Sequence, residues 1–335
     1  MSKFVTIAVD AMGGDLGSAA AVRASLEMLR SRDELRLILV GDADTVRANF
    51  GRLGKESARV EIHHADQIVS MEDTPSEALR HKKRSSMRLA VELVRSGEAQ
   101  ACVSAGNTGA LMATGRLVLR MLAGIDRPAI LVALPTMQGA CYMLDLGANS
   151  VCTPTHLLQF AVMGSVIAAI NGVENPAIRL LNNGEEEIKG IETVQAANVL
   201  LSESHLNYHG FVEPNDVFKH RADVVVCDGF TGNIALKTME GSAEFVYRQM
   251  RSYFQTGWFT RAYGLACWPF LNAIKKRLDP NRHNGATLVG LTGIVIKSHG
   301  SSNEIGWQQA IHLAMREVEK GLNERIQGLW SNMAA

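Results

Sequence analysis

Three short stretches of the chain carry residue types and spacings suited to holding an anion. The first is Asp228-Gly229-Phe230-Thr231-Gly232-Asn233, set between the apolar run Val224 to Cys227 and a helical pattern opening at Asn233. The second is Asn107-Thr108-Gly109, after the strand-like run Gln100 to Gly106 and before a helix through Met121. The third runs from Lys297 through Ser298, His299, Gly300 and Ser301 to Asn303, between Ile294 to Ile296 and a long helix reaching Ile326. A strand, a glycine-bearing turn and a helix start, in that order, aim backbone N–H groups and the positive helix end at one point, which suits phosphate. Plain turns need glycine for steric reasons too, and Asn107 also fits a simple helix cap, a role compatible with binding.

The titratable groups near these loops extend the chemistry. His299 is a candidate proton donor or phosphate ligand, with a purely structural histidine as the alternative. Asp10, Asp15, Asp145 and Asp228 follow or lie near strand ends, where a carboxylate serves as base, ligand orienter or Mg²⁺ ligand. No spacing matches a metal signature, so neither a metal nor a cofactor is expected. No GxSxG elbow is present, and Ser104 has no adjacent sequence partner to activate it. The G-x-G-x-x-G fingerprint is missing after the first strand, which favours an anion site over a nicotinamide one.

The elements that must position these groups follow from periodicity. Phe4 to Asp10, Leu35 to Gly41, Val60 to His63, Gln100 to Gly106, Ile130 to Leu134, Tyr142 to Leu146, Ile178 to Leu181, Gly210 to Val212 and Val224 to Cys227 read as strands. Helical patterns lie between most of them, and Asp66 to Lys83 reads as a long polar excursion. Strand and helix in alternation predict an α/β fold, a layered Rossmann-like and largely parallel sheet covered on both faces. No linker divides the chain, so 1–335 is expected as one domain, with the ligand at the carboxyl ends of parallel strands where the loops would converge.

Lys plus Arg and Asp plus Glu number 34 each, so no global charge draws nucleic acid. Five cysteines without a CxxC pair predict a reduced cytoplasmic protein. The apolar helix Leu157 to Ile170 is too short to span a bilayer, and the N-terminus meets Asp10 too early for a signal-peptide core.

One segment departs from the alternation. Residues 245–278 contain no acidic side chain, but carry Arg248, Arg251, Arg261, Lys275, Lys276 and Arg277 around Trp258, Phe259, Trp268 and other aromatics. This predicts a helical element that either packs at a dimer interface or lies on an anionic membrane surface.

The motifs DAMGGD (Asp10 to Asp15), SAGNTGALM (Ser104 to Met112), GIDRP (Gly124 to Pro128), LDLGAN (Leu144 to Asn149), DGFTGN (Asp228 to Asn233) and KSHGSSN (Lys297 to Asn303) occur in the order found in one family. With them the chain resembles the bacterial phosphate acyltransferases of phospholipid synthesis, from about Val5 to about Ile326. Two positions depart from that pattern. Leu16 stands where relatives often carry His or Phe, and His283 precedes Asn284 and Gly285 where Tyr is usual.

The resemblance implies transfer of a fatty acyl group from acyl-carrier protein to inorganic phosphate, giving acyl phosphate. It implies a homodimer with a fold like isocitrate and isopropylmalate dehydrogenases, peripheral membrane association, and a membrane-bound glycerol-3-phosphate acyltransferase as recipient of the product. Alternatives on a related sheet are a phosphate acetyltransferase-like or nicotinamide-dependent enzyme, or a non-catalytic lipid-surface scaffold. Under the first reading Asn107, Asn233, Lys297 and His299 are the catalytic candidates. Thr108, Gly109, Thr231, Gly232, Gly300 and Ser301 would bind phosphate, and Asp10, Asp15 and Asp228 would orient it or move protons. Asn107 or Asn233 would polarise the thioester carbonyl and His299 would protonate the thiolate. The acidic carrier would dock on Arg80, Lys82, Lys83 and Arg84, or on Lys275 to Arg277.

Overall fold

The computed structural model describes residues 4–50, 54–186, 188–254 and 279–334, with positions 257, 263, 267, 269 and 272 between the last two spans. Its first half builds β1 (Val5–Asp10), α1 (Gly17–Ser31), β2 (Leu35–Gly41), α2 (Ala43–Ala48), β3 (Val60–His64), α3 (Pro75–His81), α4 (Ser86–Ser96), β4 (Ala101–Ser104) and α5 (Thr108–Val118). The hairpin β5 (Ala129–Thr136) and β6 (Gly139–Leu144) follows, then α6 (Pro154–Ile170), β7 (Ile178–Leu181), α7 (Glu192–Ser202), β8 (Tyr208–Val212), β9 (Val224–Val226) and α8 (Gly229–Tyr253). Beyond the next described span come β10 (Ala286–Val289), β11 (Ile294–Lys297), α9 (Glu304–Glu319) and α10 (Leu322–Ala334).

Side-chain caps start most of these helices. Asp42, Thr74, Ser85, Asn107, Thr153, Asp228 and Asn303 each accept a backbone N–H from the first turn they precede. Such a cap stabilises a helix by about 1 kcal/mol. Thr74 and Glu77 form a reciprocal capping box with Pro75 at the first helical position, so the stretch read as a long polar excursion contains α3. The capping-box spacing Thr-Pro-Ser-Glu was the available signal.

All eleven strands join one sheet, in the order β3-β2-β1-β4-β11-β10-β5-β6-β9-β7-β8. Its core forms two layers, one per face. Ile7, Val9, Leu39, Val103 and Ile296 pack under α1, α6, α7, α9 and α10, with Trp307 1% exposed among them. Ala8, Val40, Cys102 and Val295 pack under α3, α4 and α5 with Met87 and Leu111. Strands buried on both faces read as continuous apolar runs, which is why they were legible.

The pairings are parallel except at the centre, where β11–β10, β10–β5 and β5–β6 are antiparallel. That odd number of reversals has a large consequence. Strands β6, β9, β7 and β8 run opposite to β1, β2, β3, β4 and β11. The loop after β9 therefore emerges at the sheet edge opposite the loops after β1, β4 and β11, and the expected convergence of all loops at one edge does not occur within a chain.

Two boundaries also shift. Helix α8 opens at Gly229, so Phe230 to Asn233 form its first turn and not a loop. The C-terminal helix breaks at Lys320 and Gly321, whose φ of +61° ends α9 before α10 begins. Of the basic and aromatic segment, Phe245 to Tyr253 continue α8, with Phe245 62% and Val246 53% exposed. Arg261, Trp258, Phe259, Trp268 and Lys275 to Arg277 lie outside the described residues. No helix among the described residues is long and apolar enough to cross a membrane.

Candidate active site

The carboxyl ends of β1, β4 and β11 are neighbours in the sheet, and three loops meet there. Backbone pairing carries Asp10 to Ser104 and Ser104 to Lys297 in register. The loops then pack backbone to backbone. Asp15 N–H donates to Gly300 O at 2.7 Å, and Ser298 N–H donates to Ser104 O at 2.9 Å. At Gly14, with φ +97°, a β-carbon would stand 3.0 Å from both Ala105 Cβ and Gly300 O. Glycine there permits a close approach that a side chain would prevent.

Beneath this surface sit the charged groups. Ser104 Oγ donates to Asp10 Oδ2 at 2.6 Å, and Asp10 is 1% exposed. Burial pushes the Asp10 carboxyl above its ordinary range, against hydrogen bonds from Ser104 and Ser86 that favour the carboxylate. Lys297 is 8% exposed, and its ammonium donates to Ala105 O and Ser298 O. Burial pulls the Lys297 pKa down to about 8, opposed by the nearby Asp10 and Asp15 charges. Lys297 thus joins the β4 and β11 loops from below and supplies positive potential through them.

The surface groups are Asn107, Thr108, Gly109, His299, Gly300 and Ser301. Asn107 Oδ1 accepts from Ala110 N–H at 3.0 Å, as the cap reading required. Its Nδ2 donates at 2.9 Å to both Met71 O and Asp73 O, tying the segment before α3 to the site. Both ends of its amide are thus bonded within the chain, which fixes the start of α5 against the segment before α3. Thr108 and Gly109 occupy the first two helical positions, beyond reach of any helical carbonyl, so their N–H groups suit an anion.

His299 is exposed, and its own N–H donates to Asn284 Oδ1 at 2.9 Å. Ser301 N–H donates to His299 Nδ1 at 3.3 Å, so the neutral ring keeps its proton on Nε2. Asn284 was missed as a site residue. Its Nδ2 donates at 2.7 Å to Ser298 Oγ and to Gly306 O, fixing the His299 loop, and the Asn-Gly turn beside His283 was its only sequence signal.

Asp228, Thr231, Gly232 and Asn233 form a second cluster at the opposite edge. Five strand spacings separate β4 from β9, on the order of 24 Å. Asp228 is a helix cap, accepting Thr231 N–H at 2.9 Å and Thr231 Oγ at 2.6 Å. Gly232 N–H bonds to Asp228 O, so the first turn offers fewer open donors than a loop would. Asp145, fully buried, accepts the N–H groups of Ile130, Gly147, Ala148 and Asn149 at 2.7 to 3.2 Å. Its carboxylate organises the turn against which Asn233 lies. The Asn233 amide is half-buried and has no hydrogen bond among the described residues.

No group of three or more His, Cys, Asp or Glu among the described residues is arranged to hold a metal ion. Cys102, Cys141 and Cys227 are buried, and burial raises each thiol pKa, that of Cys141 to about 12. Thiols so protonated are poor nucleophiles.

Comparison with known proteins bears on the family and the fold. The profile of the family described as fatty acid synthesis protein matches residues 5–325. A phosphate acyltransferase of Alkalilimnicola ehrlichii is 53% identical over 100% of this chain and 99% of its own length. Another, from Methylococcus capsulatus, is 51% identical over 96% and 95%. Among solved structures, a phosphotransacetylase from Streptococcus pyogenes superposes with a TM-score of 0.64 at 17% identity, covering 95% of this chain and 94% of its own. A putative 4-hydroxythreonine-4-phosphate dehydrogenase from Salmonella typhimurium gives 0.53 at 12% identity, covering 93% and 99%. These two share the fold. With half-identical relatives along its whole length, the chain belongs to the phosphate acyltransferase family and is an acyltransferase.

Proposed function

We propose that the chain transfers a fatty acyl group from acyl-carrier protein to inorganic phosphate at the β1, β4 and β11 loops, supplying acyl phosphate for phospholipid synthesis. The observation that carries this reading is the packing of three glycine loops and the start of α5 above the buried Lys297 ammonium. Phosphate sits over the N–H groups of Thr108 and Gly109, with Gly300 and Ser301 on its other side. Positive helix end and Lys297 both favour an anion there.

Phosphate dianion is itself the nucleophile, so positioning and charge stabilisation are the main demands. One phosphate oxygen attacks the thioester carbonyl carbon, a C–O bond forms and the C–S bond breaks. The proton of the hydrogen phosphate ends on the departing thiolate, toward which His299 Nε2–H donates a hydrogen bond. Asp10 and Asp15 set the potential around Lys297.

A homodimer belongs to the proposal. Asn233, Thr231 and Gly232, remote from this edge of their own chain, would serve the site of a second copy. The unbonded Asn233 amide and the exposed Phe245 and Val246 of α8 support that role. The end of α8, with Arg251 and the exposed Tyr253, supports peripheral contact with anionic lipid.

The test is incubation with acyl-carrier protein thioester and phosphate, trapping acyl phosphate with hydroxylamine. Hydroxamate that depends on both phosphate and enzyme is the expected result. Free acid without hydroxamate would replace the reading by a hydrolase.

A further inference from the structure

Helices α3 and α5 lie side by side, and between them runs an open groove of about 640 Å³ lined by Pro75, Ser76, Leu79, Arg80, Lys83 and Leu117. One end touches the candidate site, because Pro75 Cγ stands 3.2 Å from where a β-carbon on Gly109 would be. The other end lies by Leu117 in the last turn of α5, about 12 Å along the helix from Gly109. Leu117 is 56% exposed, so this floor is apolar and open.

Charge gives the groove its direction. Most ionic groups around it are satisfied internally. Lys82 pairs with Asp73, Arg84 with Asp66 and Arg88 with Glu92, while Glu77 is held by Thr74. Arg80 and Lys83 make no ion pair among the described residues, and both are exposed. Two open cations therefore stand at the rim of an apolar channel that ends at the phosphate loops.

We infer that this groove is the docking surface for an acidic carrier protein, whose thioester arm lies over Leu79 and Leu117 and reaches the site past Pro75. The inference rests on the acyl-transfer reading and adds to it the surface and the path of the thioester arm. Arg80 and Lys83 meet carboxylates on the carrier, which speeds encounter and fixes register more than it adds affinity. Lys82 and Arg84, grouped with them by sequence, are held in ion pairs and contribute less.

The test pairs Arg80→Glu with Lys83→Glu in the full chain. Steady-state rates are measured with the acyl-carrier thioester and with the same acyl group on a small thiol. The expected result is a KM for the carrier substrate raised about tenfold or more at low salt, with kcat unchanged and the small thioester used as before. An unchanged KM for the carrier overturns the inference. Anisotropy titration of the labelled carrier supplies a readout independent of turnover. Wild-type binding lost in the double variant keeps the surface even if no acyl phosphate forms, whereas equal binding removes it. If the double variant loses binding to phosphatidylglycerol vesicles while its carrier KM is unchanged, the groove is a lipid contact and the inference falls.

Discussion

Ser104 Oγ and Asp10 Oδ2 lie 2.6 Å apart across 94 residues of sequence, joining the ends of β1 and β4 below the phosphate loops. Ser104 has no role as nucleophile here; its hydroxyl serves a buried carboxyl that desolvation already burdens. Ser104→Ala should lower stability by about 1–3 kcal/mol, the usual cost of stranding a buried polar partner. Denaturant unfolding with an unchanged m-value would measure it. Stability equal to wild type would show that Ser86 carries Asp10 alone.

Lys297 gives a pH prediction. Its pKa of about 8 means that the ammonium is present below that value and lost above it. With phosphate dianion held constant, phosphate affinity should fall as pH rises through about 8, and Lys297→Met should bind weakly at every pH. The stability effect has the opposite sign. Because the unfolded lysine holds its proton to about 10.4, wild-type stability should rise between pH 8 and 10, and the Met variant should lack that rise.

Glu317 on α9 is fully buried, its Oε1 accepts from Thr287 Oγ at 2.6 Å, and its Oε2 has no partner. Burial raises its pKa to about 8. The folded chain therefore keeps this proton where the unfolded chain, with a glutamate pKa of about 4.3, has released it. Stability from this group is greatest below about pH 4.3 and is lost as pH rises toward 8. Glu317→Gln should melt above wild type by a margin that widens from pH 5 to pH 8. A constant margin would argue against the titration.

Gly232 and Asp145 make a test of the second cluster. A β-carbon on Gly232 would fall 2.0 Å from Asp145 O and 2.7 Å from Cys227 Sγ. Backbone on one side and a buried thiol on the other leave no room to relax. Gly232→Ala should cost several kcal/mol by overpacking, read as a large drop in Tm. A Tm within a degree of wild type would mean that the start of α8 yields more easily than this packing implies.

The homodimer proposal is tested by mixing. If Asn233 serves the partner's site, Asn233→Ala and His299→Ala chains, each nearly inactive alone, should regain activity when refolded together. About a quarter of the wild-type rate is expected, because half of random dimers are mixed and each holds one intact site. No recovery would place Asn233 outside the site.

The sequence by itself determined most of the elements, the family and the loops, but not α3, β10 or the break before α10. Runs such as Val224 to Val226 are apolar throughout because both faces of the sheet are covered, and caps such as Asn107 and Asp228 stand within three residues of a strand end. These are local properties, set by period and by the unpaired N–H groups of a helix start. Tertiary structure alone decided which loops meet. Strand direction depends on pairing between residues far apart in the chain, such as Thr287 with both Leu131 and Ile296. The three antiparallel pairings around β10 and β5 send Asp228 to Asn233 to the far edge. Pairing likewise put Lys297 under the loops and occupied the Asn107 amide with Met71 and Asp73. Residue type tells what a side chain can bond; only the packed chain decides which partners are within reach.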